Sequence, residues 1–409
     1  GEKNFGGGRA AENKATGITE NLVNLGFEAG RMKTGTPPRV DGRSLDYSVM
    51  EEQKGDENPS KFSYRDSTSP LKTQKSCFIT YTNETVHEIL KEGFDRSPMF
   101  SGAIAGTGPR YCPSIEDKIE RFAERERHQL FIEPEGWNTV EIYVNGFSTS
   151  LPLEVQEKAI KQVRGFENAK IFRPGYAIEY DYFPPTQLKH TLETKLVDGL
   201  YFAGQINGTT GYEEAACQGM MAGINAHLKI REEEAFILKR DEAYIGVLID
   251  DLITKGTKEP YRMFTSRAEY RILLRQDNAD ARLTPLAHKI GLASDEQIKR
   301  VEDKNKSIKN LLKTLDNISI TPEETNAYLE ENKTASIKQK VKASSVITRP
   351  QVDLETMSTA IPSIKQAIEN NTLEVIEQVE IRIKYQGYID REKDMAEKMT
   401  RLEEVRLSD

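Results

Sequence analysis

Long apolar runs, paired cysteines and clustered histidines are scarce in this sequence. The longest apolar runs, such as residues 245–249, fall far short of the roughly 20 residues that cross a bilayer. Its three cysteines, Cys77, Cys112 and Cys217, include no C-x-x-C pair, which argues against a disulfide framework and a cysteine-built zinc site. The five histidines show no metal-ligand spacing. We therefore expect a cytoplasmic protein with no metal site and no membrane span.

Charge and size set the remaining limits. The formal net charge of −8 argues against a surface that coats nucleic acid uniformly, but it leaves local basic patches open. A chain of 409 residues has room for two or three domains. It opens on Gly1, within a polar glycine-rich stretch, and we interpret this as a truncated start.

The composition changes near residue 229, which predicts two kinds of architecture. Before it, strand-like runs at 77–81, 141–144 and 177–182 alternate with helical patterns at 114–126 and 153–164, as in a mixed α/β fold. After it, glycine is sparse and helical periodicity continues. Thr321 and Pro322 resemble a helix start, and the tail from 374 to 406 is predicted to be one long charged helix or two, with Gly387 as a possible break. The predicted fold class is α/β plus all-α.

The most informative segment runs from Gly199 to Ala216. A short apolar strand ends at Gly204, a glycine-punctuated loop follows, and Thr210 with Glu213 fits a capping box that would start a helix. The free amides of a helix start favour an electron-rich ligand atom. Small residues along this helix would let a backbone or a flat ligand approach closely: Ala215, Ala216, Gly219, Ala222, Gly223 and Ala226. From local physics, a ligand site and plain helix packing are equally compatible with this pattern.

A second segment, residues 95–117, places a cysteine beside a helix start. Ser114 and Asp117 fit a capping pattern, so a helix should begin just after Cys112. A thiolate is favoured at such a position, two residues from Arg110, which suits a nucleophile. The alternative is a buried structural cysteine. Cys77 and Cys217 are both interpreted as packing residues.

Two further segments carry clustered cations. Residues 31–39 form a rigid loop with three cations, which could hold a phosphate or simply connect two elements. If residues from Ser266 onward are helical, three arginines, Arg267, Arg271 and Arg275, fall on one helix face. Such a row could contact phosphates, or neighbouring carboxylates could neutralise it as ordinary ion pairs.

Taken together, three segments resemble signatures of the MnmG (GidA) family. They are residues 97–118, residues 204–216 and residues 258–271, and the similarity extends over essentially the whole chain. The resemblance implies a glutathione-reductase-like flavin domain with an α/β insertion, followed by a helical domain. On that map, residues 1–40 belong to the flavin domain, 41–172 to a nicotinamide-associated insertion, 173–235 again to the flavin domain, and 236–409 to a helical domain that binds tRNA and a partner.

The resemblance also implies a function. Members of the family work with a GTPase partner, MnmE, as a homodimer within a heterotetramer. Together they add an aminomethyl or carboxymethylaminomethyl group to carbon 5 of the wobble uridine of tRNA. FAD is the bound cofactor, NADH the reductant and a methylene-tetrahydrofolate the one-carbon donor.

Specific residues match the family's functional positions. Cys112 matches one of two cysteines with catalytic roles, acting by addition to the uracil ring or by handling the one-carbon unit; the sequence does not choose between these. The segment that closes over the flavin is matched by Gly204, Gln205, Asn207, Gly208, Thr209, Thr210, Gly211, Tyr212 and Glu213. Contacts to tRNA are expected from Arg262, Arg267, Arg271 and Arg275.

The sequence also departs from the family pattern. No G-x-G-x-x-G motif follows a strand near the start, and the family's dinucleotide-binding loop and its other cysteine belong upstream of Gly1. The family's last segment, which docks the GTPase, belongs after Asp409. We therefore expect this chain alone to hold flavin poorly and to be inactive.

Other functions remain as alternatives. A folate- and flavin-dependent tRNA uracil-5-methyltransferase is related but lacks a long helical C-terminal domain, so residues from Ala235 onward count against it. A non-catalytic tRNA-binding module would not need Cys112 or the flavin-type loop. A general NADH oxidoreductase would not bind tRNA in a salt-sensitive way.

Overall fold

The computed structural model describes residues 8, 12–65, 67–102, 104, 106–110 and 113–403. The chain divides into two compact units. The first comprises Gly1–Ile237 and Leu248–Met263, and the second comprises Leu238–Val247 and Phe264–Asp409. The four-part division drawn from the family resemblance stays a prediction.

The first unit alternates strands and helices, as its sequence predicts. Its strands are β1 (Gly30–Thr36), β2 (Arg39–Asp41), β3 (Glu51–Gln53), β4 (Cys77–Tyr81), β5 (Gln129–Pro134), β6 (Glu141–Asn145), β7 (Ile171–Arg173) and β8 (Tyr176–Tyr182). Its helices are α1 (Ile18–Asn24), α2 (Glu84–Lys91), α3 (Ile115–Arg121), α4 (Leu153–Ile160) and α5 (Tyr212–Ile230). The chain continues through α6 (Tyr244–Asp250) into a π-helical turn, Asp251–Lys255.

A six-stranded antiparallel sheet forms the centre of the first unit within the described residues, in the order β3-β4-β5-β6-β2-β7. Alternate residues of β5 and β6 point inward, so that Leu130, Ile132, Ile142 and Val144 are buried. Helices α2, α3 and α4 cover this core with further apolar residues, and Phe166 completes it. Removing this apolar surface from water stabilises the folded form of the first unit.

A separate two-stranded sheet pairs β1 with β8 in antiparallel register, from Gly30 opposite Tyr182 to Thr36 opposite Tyr176. Gly30 leaves room for the ring of Tyr182, because a Cβ at this position would lie 2.5 Å from that ring. Two of the signature segments, residues 97–118 and 204–216, contact this sheet at Met32 of β1.

The second unit is predominantly helical. Its remaining elements are α7 (Ala279–Lys289), α8 (Asp295–Asn317), β9 (Ser319–Ile320), α9 (Pro322–Glu331), β10 (Val341–Lys342), α10 (Ala343–Ile347), α11 (Leu354–Ala360), α12 (Pro362–Ile368) and α13 (Leu373–Glu403). Helices α8 to α13 share one core, with fully buried residues that include Leu315, Leu329, Ile347 and Met357. In the described part of the chain, no helix is both long and apolar enough to cross a membrane.

Most predicted elements are confirmed, with differences at their ends. The three predicted strands correspond to β4, β6 and β8. The helices predicted over 114–126 and 153–164 are shorter, ending at Arg121 and Ile160. Thr321 does cap α9, in a capping box with Glu324. Gly387 does not break the tail, because α13 is one continuous helix across it.

Candidate functional site

The loop from Ser97 to Arg110 lies against β1. Thr107 forms an isolated parallel β-bridge with Met32, and the backbone amide of Lys33 donates to the Thr107 carbonyl at 3.1 Å. The Lys33 ammonium donates to the Met99 carbonyl at 3.2 Å. Gly106 has a φ of 97°, and a Cβ there would lie 2.5 Å from the Arg31 carbonyl oxygen. Glycine is therefore needed for this loop to approach the strand so closely.

The helix predicted after this loop is present and starts as expected. The Ser114 hydroxyl accepts from the Asp117 amide at 3.1 Å, and the Asp117 carboxylate accepts from the Ser114 amide at 3.3 Å. This reciprocal capping box fixes the start of α3 at Ile115. Cys112 lies outside the described residues, so its assignment as a nucleophile stays a prediction.

A buried carboxyl group, which the sequence analysis did not single out, lies in the first turn of α3. Glu116 is fully buried, and its Oε1 accepts from the Ser150 amide at 2.9 Å and the Thr149 hydroxyl at 3.0 Å. Its Oε2 has no hydrogen-bond partner among the described residues. Burial raises the pKa of this carboxyl. Glu116 therefore fixes α3 to the 148–151 segment, and its position two residues after the capping Ser114 is the local sequence signal that marks it.

One buried amide side chain makes several of the hydrogen bonds that hold the glycine-rich loop after residue 203. Gln218, fully buried on α5, accepts from the Gly204 amide at 3.1 Å and the Asn207 side chain at 2.8 Å. It donates to the Thr209 hydroxyl at 3.0 Å and the Glu214 carbonyl at 3.0 Å. Four hydrogen bonds from one buried residue make this loop a defined structure. The sequence analysis missed Gln218 because its partners lie both in the loop and on its own helix.

The predicted capping box at the start of α5 is wrong. Helix α5 begins at Tyr212 behind Gly211, and no side chain caps it, so Thr210 and Glu213 do not form the predicted pair. The physical reason is a tertiary contact of the next residue. Glu214 is buried, and its Oε1 accepts from the Met263 amide at 2.7 Å and lies 3.7 Å from Arg262 Nε.

Two of the signature segments meet at one residue of β1. Gly208 has a φ of 77°, and a Cβ on it would lie 3.2 Å from Met32 Cε and 3.1 Å from the Tyr182 ring. Met32 is fully buried, accepts a hydrogen bond at its sulfur from the Tyr180 hydroxyl at 3.6 Å, and also bridges Thr107. The structure thus brings the 97–110 loop, at Thr107, and the 204–211 loop, at Gly208, to the same residue, Met32.

The second loop and the start of α5 leave polar groups and open space available for a ligand. The first turn of α5 has no side-chain cap to occupy its amides, so those amides can donate to a ligand atom. Exposed small residues follow on the same helix, and a Cβ at Gly219 or Gly223 would meet no atom within 4 Å. Asn207 Oδ1 is buried with no hydrogen-bond partner among the described residues. These features leave space for a flat ligand beside α5.

The predicted row of arginines does not exist. Thr265–Arg267 is a three-residue 3-10 turn, and residues 268–275 are turns and not a helix. The Arg267 carbonyl accepts from the Arg240 side chain at 3.3 Å, and Arg240 also pairs with Glu269 at 2.6 Å, which holds the backbone out of the helical path. Arg275 pairs with Asp277 at 3.1 Å, as the ion-pair alternative predicts, whereas Arg271 is exposed.

Two of the cysteines have the surroundings expected of packing residues. Cys77 lies in β4, where burial raises the pKa of its thiol. Cys217 packs against the cluster of Leu248, Leu252 and Tyr261, and burial raises its pKa to about 11. Neither thiol forms the thiolate readily, so neither is suited to nucleophilic chemistry. No group of three or more metal-ligating side chains occurs among the residues that the structure describes.

The sequence matches known families in both units. Residues 1–234 match the family described as glucose inhibited division protein A, and residues 295–393 match the tRNA modifying enzyme MnmG/GidA C-terminal helical domain. These matches confirm the predicted fold class, in which a mixed α/β part precedes a helical part.

Curated relatives and solved structures match the whole chain. The chain is 66% identical over 409 residues to a tRNA uridine 5-carboxymethylaminomethyl modification enzyme MnmG of Christiangramia forsetii, and 54% identical to that of Porphyromonas gingivalis. It covers 66% of each of these relatives, about two thirds of their length. Aquifex aeolicus GidA superposes with a TM-score of 0.85 at 42% identity, covering the whole of this chain and 64% of that one. The chain therefore belongs to the glucose inhibited division protein A (GidA) family.

Proposed function

We propose that this chain is the larger part of a flavin-dependent enzyme that modifies the wobble uridine of tRNA. With a GTPase partner of the MnmE type, the enzyme adds an aminomethyl or carboxymethylaminomethyl group to carbon 5 of that base. The observation that carries the proposal is similarity along the entire chain to relatives named as tRNA uridine 5-carboxymethylaminomethyl modification enzymes. The meeting of the 97–110 and 204–211 loops at Met32 supports it, because two segments that resemble family signatures contact the same residue.

FAD bound at the start of α5 would supply the redox chemistry, with NADH as reductant and a methylene-tetrahydrofolate as one-carbon donor. Flavin contacts are proposed for the loop and first turn that Gln218 holds in place: Gly204, Gln205, Asn207, Gly208, Thr209, Thr210, Gly211, Tyr212 and Glu213. Tyr212 and Glu213 are exposed there and free to meet a ligand.

The role proposed for Cys112 is nucleophilic. Its thiolate either adds to the uracil ring, which makes carbon 5 electron-rich, or carries the one-carbon unit. Glu116, four residues further along, anchors α3 to Thr149 and Ser150 and so holds the polypeptide that follows the cysteine. The capping box of Ser114 defines where that polypeptide turns into the helix.

Contacts to tRNA are proposed for the cations that are accessible. Arg262 and Arg271 are exposed. Arg267 and Arg275 are partly buried, and Arg275 is already paired with Asp277, so it should contribute least of the four. Such contacts give affinity that does not depend on sequence and decreases as salt rises.

The test is a reconstituted modification reaction with the complete protein that contains this chain. The native form and Cys112→Ser would each be mixed with the GTPase partner, GTP, FAD, NADH, methylene-tetrahydrofolate, glycine and unmodified tRNA. The wobble nucleoside would then be read by mass spectrometry. We expect an aminomethyl-type adduct from the native protein and none from Cys112→Ser.

Cys77→Ser is the matched control, because Cys77 lies in β4 and its thiol is shifted toward the neutral form. It should retain the activity. If Cys112→Ser works as well as the native protein, Cys112 is structural. If the native protein makes a 5-methyluridine or no product at all, the methyltransferase or the binding-module alternative replaces the proposal.

A further inference from the structure

A polar cleft of about 440 Å³ lies within the helical unit, between α13 and the chain around the start of α7. Its volume is in the range of small-ligand sites. Two carboxylates line it, Asp241 and Glu397, together with a larger set of cations: Arg275, Arg282, Arg382 and Lys393. The cleft therefore carries an excess of positive charge.

One wall of the cleft is held rigidly. Arg282 donates from Nε to the Asn278 side chain at 2.8 Å and from Nη2 to the Arg275 carbonyl at 3.1 Å. Arg275 pairs with Asp277, and Gln378 of α13 donates to the Asp277 carbonyl at 3.2 Å. These bonds fix the two arginines of this wall and connect it to α13.

The other wall presents a guanidinium without a counter-charge. Arg382 lies half-buried on α13, and its side chain makes no hydrogen bond or ion pair with any other described residue. Burial and the neighbouring Arg275 both lower the pKa of Arg382, so the charged guanidinium is destabilised at this position. Because an arginine side chain stays protonated in proteins, the unfavourable interaction is relieved when an anion enters and not by loss of the proton.

Further residues of α13 extend the same surface. Gln386 follows Arg382 by one turn and Lys393 by about three, so all three lie on one side of the helix and line the cleft. Arg382 supplies a planar guanidinium that can donate two hydrogen bonds, Gln386 supplies an amide, and Lys393 supplies an ammonium group. These three groups can donate hydrogen bonds to a phosphate and to polar groups next to that phosphate.

We propose that this cleft binds a backbone phosphate of RNA, with Arg382 as its principal contact. Phosphate is the chemical class that the cleft selects, and the choice of RNA as its source rests on the proposed function. The occupied cleft would hold a phosphodiester against Arg382, while Arg275 and Arg282, whose side chains already bond to the protein, form the fixed wall that faces it.

The test compares two arginines of the same helix in the full chain. Arg382→Gln removes the unpartnered guanidinium. Arg391→Gln is the matched control, because nine residues, or about two and a half turns, place it on the opposite side of α13, where it stacks on Tyr388 at 4.8 Å. Binding would be measured by fluorescence anisotropy with tRNA and with a ten-nucleotide oligoribonucleotide, each over a range of salt concentrations. Circular dichroism would confirm that both variants are folded.

We expect Arg382→Gln to weaken binding of both RNAs about tenfold, since a lost charge-assisted contact is worth roughly that factor. The slope of log affinity against log salt should decrease in magnitude by about 0.7 to 0.9. Arg391→Gln should change neither quantity by more than about twofold. Arg382→Lys should bind with intermediate affinity, because it keeps the charge and loses the two-pronged geometry.

Three results would overturn the inference. The first is unchanged affinity in Arg382→Gln, and the second is an equal loss in Arg382→Gln and Arg391→Gln. The third is competition by adenosine monophosphate or inorganic phosphate as strong as that of the oligoribonucleotide, which would assign the cleft to a small phosphate and not to RNA. None of these readouts uses uridine modification, so failure of the proposed function leaves the result interpretable.

Discussion

The Glu116 carboxyl connects the first turn of α3 to two residues outside that helix. Replacement by alanine would leave the Ser150 amide and the Thr149 hydroxyl without their buried acceptor. We expect Glu116→Ala to lower the free energy of unfolding by about 2–4 kcal/mol, from lost hydrogen bonds and a small cavity. Glu116→Gln keeps an acceptor oxygen and should cost less than half as much. Urea denaturation would measure both, and equal losses in the two variants would contradict this account of the hydrogen bonds.

Two histidines give the first unit a sensitivity to acid. His87 and His128 are buried with their rings 5.3 Å apart, and His87 Nε2 lies 2.7 Å from the Thr82 hydroxyl. His128 Nε2 has no hydrogen-bond partner among the described residues. Burial lowers the pKa of His87, and burial together with His87 lowers that of His128 to about 4. The charged groups that act on the pair are Lys91, Glu84, Lys118, Arg125 and Glu124.

The sign of the resulting pH dependence follows from linkage. In the unfolded chain a histidine binds its proton near pH 6.5, whereas folded His128 resists protonation until about pH 4. The stability that neutral His128 contributes is thus complete above about pH 6.5 and is lost as the pH falls from there toward 4. His128→Phe should abolish this part of the loss, and the exposed His227→Gln should not. Urea unfolding between pH 7.5 and 4.5 would check it; an unchanged pH profile in His128→Phe would contradict the assignment.

At the scale of single elements, two glycines with equal space around them should respond oppositely to alanine. A Cβ at Gly387 or at Gly291 would meet no atom within 4 Å. Gly387 lies inside the continuous helix α13, whereas Gly291 has a φ of 77°, which L-residues rarely adopt. Gly387→Ala should stabilise the protein by about 0.5–1 kcal/mol, because alanine loses less backbone entropy in a helix.

Gly291→Ala should destabilise the protein by about 1 kcal/mol, because alanine is strained in the left-handed region. Differential scanning calorimetry would compare both variants with the native chain. If both variants shift the unfolding temperature in the same direction, local space and not backbone conformation determines the effect of alanine.

Local signals in the sequence were sufficient where an element is stabilised by its own neighbours. The capping boxes at Ser114 and Thr321 join residues three positions apart, so a short pattern identifies them. The start of α5 and the Arg267 turn were predicted wrongly for the opposite reason. Glu214 accepts from Met263, 49 residues away, and Arg240 holds the carbonyl of Arg267, 27 residues away. Periodicity contains no information about such partners.

For the whole molecule, composition predicted the class of fold but not the position of the site. The change near residue 229 separates a glycine-rich α/β part from a helical one, and the structure follows that change. The assignment of residues 248–263 to the first unit was not predicted. It arises from contacts such as that of Tyr261 with Gly208, whose carbonyl accepts from the Tyr261 amide at 2.8 Å. Contacts of that kind also bring the two signature loops to Met32, which no spacing in the sequence indicates.

The net charge of −8 gives the position of cations more weight than their number. A polyanion approaching such a protein is repelled at most places and attracted only where positive side chains outnumber their neighbours. A site for RNA must therefore be local, and its affinity should respond strongly to single substitutions.

The carboxylates at the start of α5 affect which ligand atoms can reach the backbone amides of its first turn. Glu213 and Glu214 occupy its first turn, and the Glu214 side chain folds back over Gly211, where a Cβ would clash with it. An approaching phosphate would meet these two negative charges before it reached the amides, whereas a neutral carbonyl oxygen would not. The start of α5 should therefore accept an uncharged oxygen of a heterocyclic ring more readily than a phosphate group.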